Sequence, residues 1–401
     1  MSDLKFSHKW VAQHIADLPR SGIRKFFDLV NTMDDVISLS IGEPDFVTPW
    51  NIREATIYAL NRGITTYTSN LGDLKLRESI CRYFSKKFGG KYSPETECIV
   101  TVGVSEGLDI LLRAVLNEGD EVLYQEPCYV SYAPCISMTH AVPVAVETYE
   151  KNGFALDVAD LEKKVSPKTK VLLLNYPNNP TGAGLTLEDK KRIAEFAIKH
   201  DLLVISDEIY EEINYRPHVR TIAALPGMRE RTVVLNGFSK AFAMTGFRIA
   251  FAVGPRDIID AMMKIHQYTM LCASSFIQKG AIEALERGGL SRAKMCKEYE
   301  QRRNVIVNRL NKMGLSTFTP SGAFYVFPNI SSTGLSSEEF SMQLLQKKKV
   351  AVVPGTAFGA CGEGYVRCSY ATSLEEIKTA MVRIQEFLQE LPAKSVKGGA
   401  V

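Results

Sequence analysis

Residues 233–254 read VVLNGFSKAFAMTGFRIAFAVG. Two apolar runs, at 232–238 and 249–254, have the length and composition of buried strands. Between them stand a single lysine, Lys240, and a single arginine, Arg248. A solvated lysine needs no such setting. A lysine held partly desolvated against a reactive partner does, because its free amine is then available as a nucleophile.

Moving outward, short β-rich runs alternate with helical patterns from about residue 95 to 255: CIVTVG (98–103), EVLYQEP (121–127), VLLLNYP (171–177), LLVISD (202–207), then the two runs above. Continuous apolar strands separated by helices predict an α/β fold with a mostly parallel central sheet flanked by helices. The helix at 187–199 is well signalled: Thr186 caps it and Asp189 follows three residues on. The C-terminal third changes character. A long charged amphipathic helix at 293–313 leads to GAFYVFPNI, VAVVPGTAFG and GYVRCSYAT, which read as a smaller α+β domain closed by a helix near 374–390. The expected division is an N-terminal segment, 1–48, joining the small domain, a large domain, 49–295, and the small domain, 296–401.

Composition bounds the function. The 401 residues carry 48 basic and 45 acidic side chains, a net charge of +3, which steers the chain toward neither nucleic acid nor an anionic membrane. No apolar run reaches the ~18 residues of a spanning helix, and the N-terminus lacks the apolar core of a secretory signal. The eight cysteines form no C-x-x-C pair, so free thiols in a reducing cytoplasm are expected. The six histidines show no metal-ligand spacing, and no metal site is expected.

Ligands of an open parallel sheet bind outside the carboxyl ends of its strands. Those ends deliver Gly103, Val104 and Ser105 at a helix start, then Tyr129, then Asn179 in a turn, then Asp207 and Tyr210, then Ser239 and Lys240. Small residues opening a helix suit an anion, and Ser239 and Arg248 add a hydroxyl and a charged fork. Taken singly, each has an ordinary reading: a strand-to-helix turn, a surface ion pair, a packed aromatic. Asp207 follows LLVIS, where burial demands a partner. An arginine, a capped amide or the protonated ring nitrogen of a cofactor would serve. A lysine near a phosphate anchor and a buried aspartate is the set that a pyridoxal cofactor requires.

The stretches ISLSIGEPDF, ITTYTSNLGDLKLRE, VTVGVSEGLDILLRA, YPNNPTG, VISDEIYEEI, NGFSKAFAMTGFRIA, PSGAFYVFP, VAVVPGTAFG and YVRCSYA carry a resemblance over residues 20–390. The chain resembles the class I/II aminotransferases of pyridoxal-phosphate fold type I, and within them the prokaryotic aspartate and aromatic enzymes.

The resemblance implies roles. Lys240 is similar to the lysine that bonds the cofactor aldehyde and moves the substrate's α-proton. Asp207 matches the pyridine-nitrogen partner, and Tyr210 and Asn179 the donors to the ring oxygen. Tyr129 matches the stacking aromatic, often a tryptophan in relatives. Val104, Ser105, Ser239 and Arg248 resemble the phosphate cup, and Tyr67 the tyrosine reaching it from a neighbouring subunit, which implies a homodimer with shared sites. Arg367 resembles the arginine that grips the substrate α-carboxylate, aided by Asn179 and by the backbone of Gly42. Ile23 lies in what resembles a mobile segment that closes over substrate. The implied reaction is ping-pong transfer from an L-amino acid, aromatic and/or aspartate, to a 2-oxo acid such as 2-oxoglutarate. Ser105 departs from relatives that carry a lysine there. A fold type I C–S β-lyase, or another pyridoxal-phosphate enzyme acting on an L-amino acid, would keep the same anchors. A ligand-sensing regulator on this fold would add a DNA-binding domain, for which residues 1–20 offer little room.

Overall fold

The computed structural model describes residues 10–18, 30, 33–217 and 221–392. Strand β1 (Ile37–Ser38) precedes a seven-stranded sheet formed by β2 (Cys98–Thr101), β3 (Glu121–Glu126), β4 (Val142–Glu147), β5 (Thr169–Asn175), β6 (Leu203–Asp207), β7 (Thr232–Gly237) and β8 (Ala250–Val253). Their order is β2-β8-β7-β6-β5-β3-β4, and β8 is antiparallel to both of its neighbours while the other adjacent pairs are parallel. The sheet is therefore mixed and mostly parallel, as the sequence implies.

The apolar runs are continuous because both faces are covered. Along β5, Leu172 and Leu174 pack on one side with Ile193, Ala194 and Phe196 of the helix Leu187–Lys199. Val171 and Leu173 face the other side, toward Leu108 and Leu111 of the helix Val104–Val115. Successive strand residues point to opposite faces, and each fully buried aliphatic side chain contributes about 1.5–3 kcal/mol. Thr186 caps the helix Leu187–Lys199 in a reciprocal box with Asp189, at 3.1 and 2.9 Å.

Strand direction answers the question raised by Lys240. Because β8 runs back alongside β7, with Gly237 opposite Ala250, the connecting loop starts and ends at one edge of the sheet. Lys240 and Arg248 therefore lie at the same edge as the ends of β5 and β6. Strand period reports burial and not direction, so this reversal could not be read from the pattern.

The long helix runs over Gly289–Lys312, starting four residues before the expected position, and the last helix over Leu374–Glu390. Beyond them lies the smaller lobe. Strands β9 (Tyr325–Val326), β11 (Val353–Pro354) and β12 (Val366–Ser369) form an antiparallel sheet in the order β11-β12-β9, and β10 (Val350–Ala351) pairs in parallel with β1. Ile37–Ser38 thus joins the smaller lobe. His14, in the short helix Gln13–Ala16, instead lies beside the large sheet, its ring 4.4 Å from that of His140.

Candidate active site

A cavity of about 380 Å³ opens at the carboxyl edge of the sheet, between it and the smaller lobe. Every described site residue expected from the sequence lines it except Gly103 and Tyr67. Tyr67 is 77 % exposed and lies outside it. Ile23 lies outside the described residues.

At one end, Gly103 precedes the helix Val104–Val115 at φ +83°. A Cβ there would overlap the guanidinium of Arg248, so the glycine leaves room for the arginine to reach the helix N-terminus. Arg248 itself adopts φ +51°, and its Nη1 donates to Thr245 O at 3.0 Å. The turn is braced from behind: Glu106 accepts from the Val102 N–H at 2.7 Å and meets the buried His266 ring at 2.6 Å. Val104, Ser105 and Ser239 complete this wall. A helix N-terminus, two hydroxyls and a guanidinium make an anion cradle.

In the middle, Asp207 is 4 % exposed. Its partners are the Tyr132 hydroxyl, donating at 2.8 Å, and the Ile209 N–H, donating at 3.1 Å. Of the partners that the sequence allows, the local amide is present and, among the described residues, an arginine is not; the tyrosine is new. Burial pushes the carboxyl up to about 6, against the pull of Tyr132, Ile209 and Lys240. Tyr129 meets Tyr132 edge-on at 5.7 Å. Tyr210 shares a hydrogen bond with Tyr325, hydroxyl to hydroxyl, at 2.9 Å.

Lys240 Nζ donates to the Gly42 carbonyl at 2.7 Å. Burial pulls its pKa down to about 8; Glu43 opposes the fall, while Arg367 and Arg248 add to it. A lysine acts as nucleophile or base only as the neutral amine, and burial brings that form within reach near physiological pH.

At the far end, Arg367 is 3 % exposed with no carboxylate partner among the described residues. Its Nη1 donates to Asn179 Oδ1 at 3.0 Å and its Nη2 to Ser40 O at 2.6 Å, while Nε has no hydrogen-bond partner among those residues. The guanidinium carbon lies 4.6 Å from the Tyr325 ring and 4.8 Å from the Phe358 ring, contacts worth up to about 2 kcal/mol each when desolvated. A buried, incompletely satisfied cation is costly unless an anion completes it. Tyr132, Tyr325 and Phe358 escaped the sequence reading, although Tyr325 and Phe358 fall within the motifs PSGAFYVFP and VAVVPGTAFG.

Comparison with known proteins agrees with this site. Residues 34–384 match the family Aminotransferase class I and II. The chain is 48 % identical to aromatic-amino-acid aminotransferase 2 of Thermococcus litoralis and 49 % identical to the aspartate aminotransferase of Pyrococcus abyssi, each over 92 % of this chain and 96 % of the relative. The crystal structure of the aromatic aminotransferase from Pyrococcus horikoshii superposes with a TM-score of 0.88 at 48 % identity, covering 91 % of this chain and 99 % of that one. The chain belongs to the class I and II aminotransferases, with the fold of the type I pyridoxal-phosphate enzymes. Its activity is that class's pyridoxal-phosphate-dependent exchange between an amino acid and a 2-oxo acid.

Proposed function

We propose that the chain transfers the amino group of aromatic L-amino acids and aspartate to 2-oxoglutarate, in two successive half-reactions, as a cytoplasmic homodimer. The observation that carries this reading is the convergence of Lys240, Asp207, Arg248 and Arg367 on one cavity. Relatives named for aromatic and for aspartate donors, at nearly equal identity, support the two donor classes. Eight free cysteines fit a reducing compartment. The exposure of Tyr67 fits a side chain that serves the site of a second subunit. Neither nucleic acid nor membrane is assigned a part.

The residues fit pyridoxal phosphate by their chemistry. The cradle left open by Gly103, with Val104, Ser105, Ser239 and Arg248, would hold the phosphate. Asp207 would hold the proton of the ring nitrogen, Tyr129 would stack on the ring, and Tyr210 and Asn179 would serve its oxygen. When bound, the cofactor supplies an aldehyde for amines and an electron-withdrawing ring next to the substrate Cα. Arg367 binds the α-carboxylate as a fork, with Asn179 orienting the guanidinium and Gly42 offering its backbone at the substrate side. Lys240 takes the proton from the substrate Cα and holds it. Ile23 belongs to the segment proposed to exclude water.

The first experiment is an absorbance titration of the holoenzyme with single L-amino acids and no 2-oxo acid. Conversion of the aldehyde form of the cofactor to its amino form is expected, fastest with the true donor. A spectrum that stays unchanged while pyruvate accumulates would overturn the transferase reading in favour of a lyase.

Two further results are expected. Arg367→Ala raises KM for every α-amino acid by about 10²-fold, since losing a buried charge-assisted partner costs about 2–5 kcal/mol; unchanged KM values would remove Arg367 from the carboxylate. Capture of pyridoxal phosphate by the apoprotein slows about tenfold per pH unit below about 8, because protonation then withdraws the Lys240 amine. A rate that is flat between pH 6 and pH 8 would contradict this.

A further inference from the structure

We propose that Glu126 is a positioning residue for substrate binding: it fixes the loop Gly355–Gly362 and, through Phe358, sets the guanidinium of Arg367. The inference rests on the reading of Arg367 as the carboxylate-binding arginine.

Glu126 ends β3 on the large sheet. The loop belongs to the smaller lobe and consists of two short 3-10 turns, Gly355–Phe358 and Ala360–Gly362. Gly359 joins them at φ +128°, a conformation that favours glycine. Its Cα lies so close to Glu126 that a Cβ would overlap Cγ and Cδ of the glutamate. Two positions further on, the Cys128 N–H donates to Phe358 O at 2.9 Å. The segment 126–128 thus grips the loop at two successive residues, by a side chain at Gly359 and by the backbone at Phe358.

Glu126 is itself held. The Tyr124 hydroxyl donates to its Oε1 at 3.3 Å, and Thr148 donates to its carbonyl through both N–H and hydroxyl. Burial pushes its carboxyl up, while Tyr124 and the Ala360 N–H pull it back. The glutamate has no part in the reaction proposed above. What it controls is the seat of Phe358, 2 % exposed, whose ring forms one of the two aromatic walls of the Arg367 guanidinium. The same segment continues into Tyr129 in the cavity wall. One strand end therefore serves the ring of the cofactor and the clamp for the substrate.

The α-carboxylate is common to every donor, so a displaced guanidinium weakens all donors by one factor and leaves chemistry and cofactor retention alone. The test uses the holoenzyme and its Glu126→Ala and Phe358→Leu variants, the first removing the Cγ and Cδ that meet Gly359, the second removing the ring while keeping an apolar side chain. kcat and KM are measured with phenylalanine and with aspartate. Binding of 3-phenylpropanoate, a carboxylate with no amino group to react, is followed by spectral titration, and cofactor loss by dialysis. In both variants the KM values and the 3-phenylpropanoate Kd are expected to rise about 5–10-fold, the scale of one lost cation–π contact. The factor should be equal for the two donors, with kcat within about twofold and cofactor loss unchanged. Unchanged KM and Kd in Glu126→Ala, or a loss confined to kcat or to cofactor retention, would overturn the proposal. Arg367→Lys is measured alongside. If it leaves 3-phenylpropanoate binding untouched, the carboxylate reading of Arg367 itself fails; if it weakens binding while Glu126→Ala does not, only the role of Glu126 fails.

Discussion

Lys240→Ala is expected to lower turnover by at least about 10⁴-fold, because one substitution removes both the amine that bonds the cofactor and the base that takes the α-proton. The long-wavelength absorbance that depends on the lysine bond should vanish, while pyridoxal phosphate still binds through the anion cradle at Gly103 and Arg248. Lys240→Arg should not rescue. A guanidinium keeps the charge and the reach but cannot be deprotonated in a protein, whereas the Lys240 amine titrates near 8. Absorbance and turnover that both survive in Lys240→Ala would overturn the assignment of this lysine. Absorbance lost with turnover retained would leave the amine as an anchor and place the base elsewhere.

Asp207→Asn should move stability and activity in opposite directions. The buried carboxyl titrates near 6 in the folded chain against an ordinary 3.8. The sign is therefore the reverse of a salt-bridged aspartate. The folded apoprotein holds this proton more tightly than the unfolded chain, so ionised Asp207 costs stability above about pH 6, by about 3 kcal/mol, and the cost fades as pH falls toward 4. Asparagine removes that cost and keeps both hydrogen bonds: its oxygen still accepts from Ile209, and the Tyr132 hydroxyl turns to accept from its amide. The apoprotein variant should melt at a higher temperature than the parent at pH 8, with the advantage shrinking between pH 6 and pH 4. With cofactor bound, the ring nitrogen loses its anionic partner, and turnover should fall about 10²–10³-fold, the scale of one preorganised electrostatic group. Equal melting at pH 8 would show that Asp207 is not strained in the fold. Retained turnover would separate it from the ring nitrogen.

How much of this was legible varies residue by residue. Lys240 and Asp207 stand out in sequence because an ionisable group beside a buried run needs a reason, and chemistry supplies few; Arg367, whose ordinary reading is a surface ion pair, is placed by resemblance. Gly103 and Ser105 announce a helix start. Tyr132, Tyr325 and Phe358 carry no such flag, since an aromatic that packs in a core and one that orients a charge look identical in a sequence. Glu126 hides for the opposite reason: an acid at a strand end is solvated by default, and only the approach of Gly359, more than two hundred residues away, gives it work. Tyr67 can be placed by resemblance alone, because its proposed partner group lies in another subunit.

The reversed strand β8 has one more consequence. In the proposed roles, the reacting amine and the phosphate-holding guanidinium sit on a single loop whose two ends are clamped together where Gly237 faces Ala250. The loop is then a ruler: its residue count sets the spacing between the two groups that would hold opposite ends of the cofactor. One residue added between Lys240 and Arg248 would misfit the pair, whereas an insertion in the crossovers on the opposite edge of the sheet would leave the spacing intact.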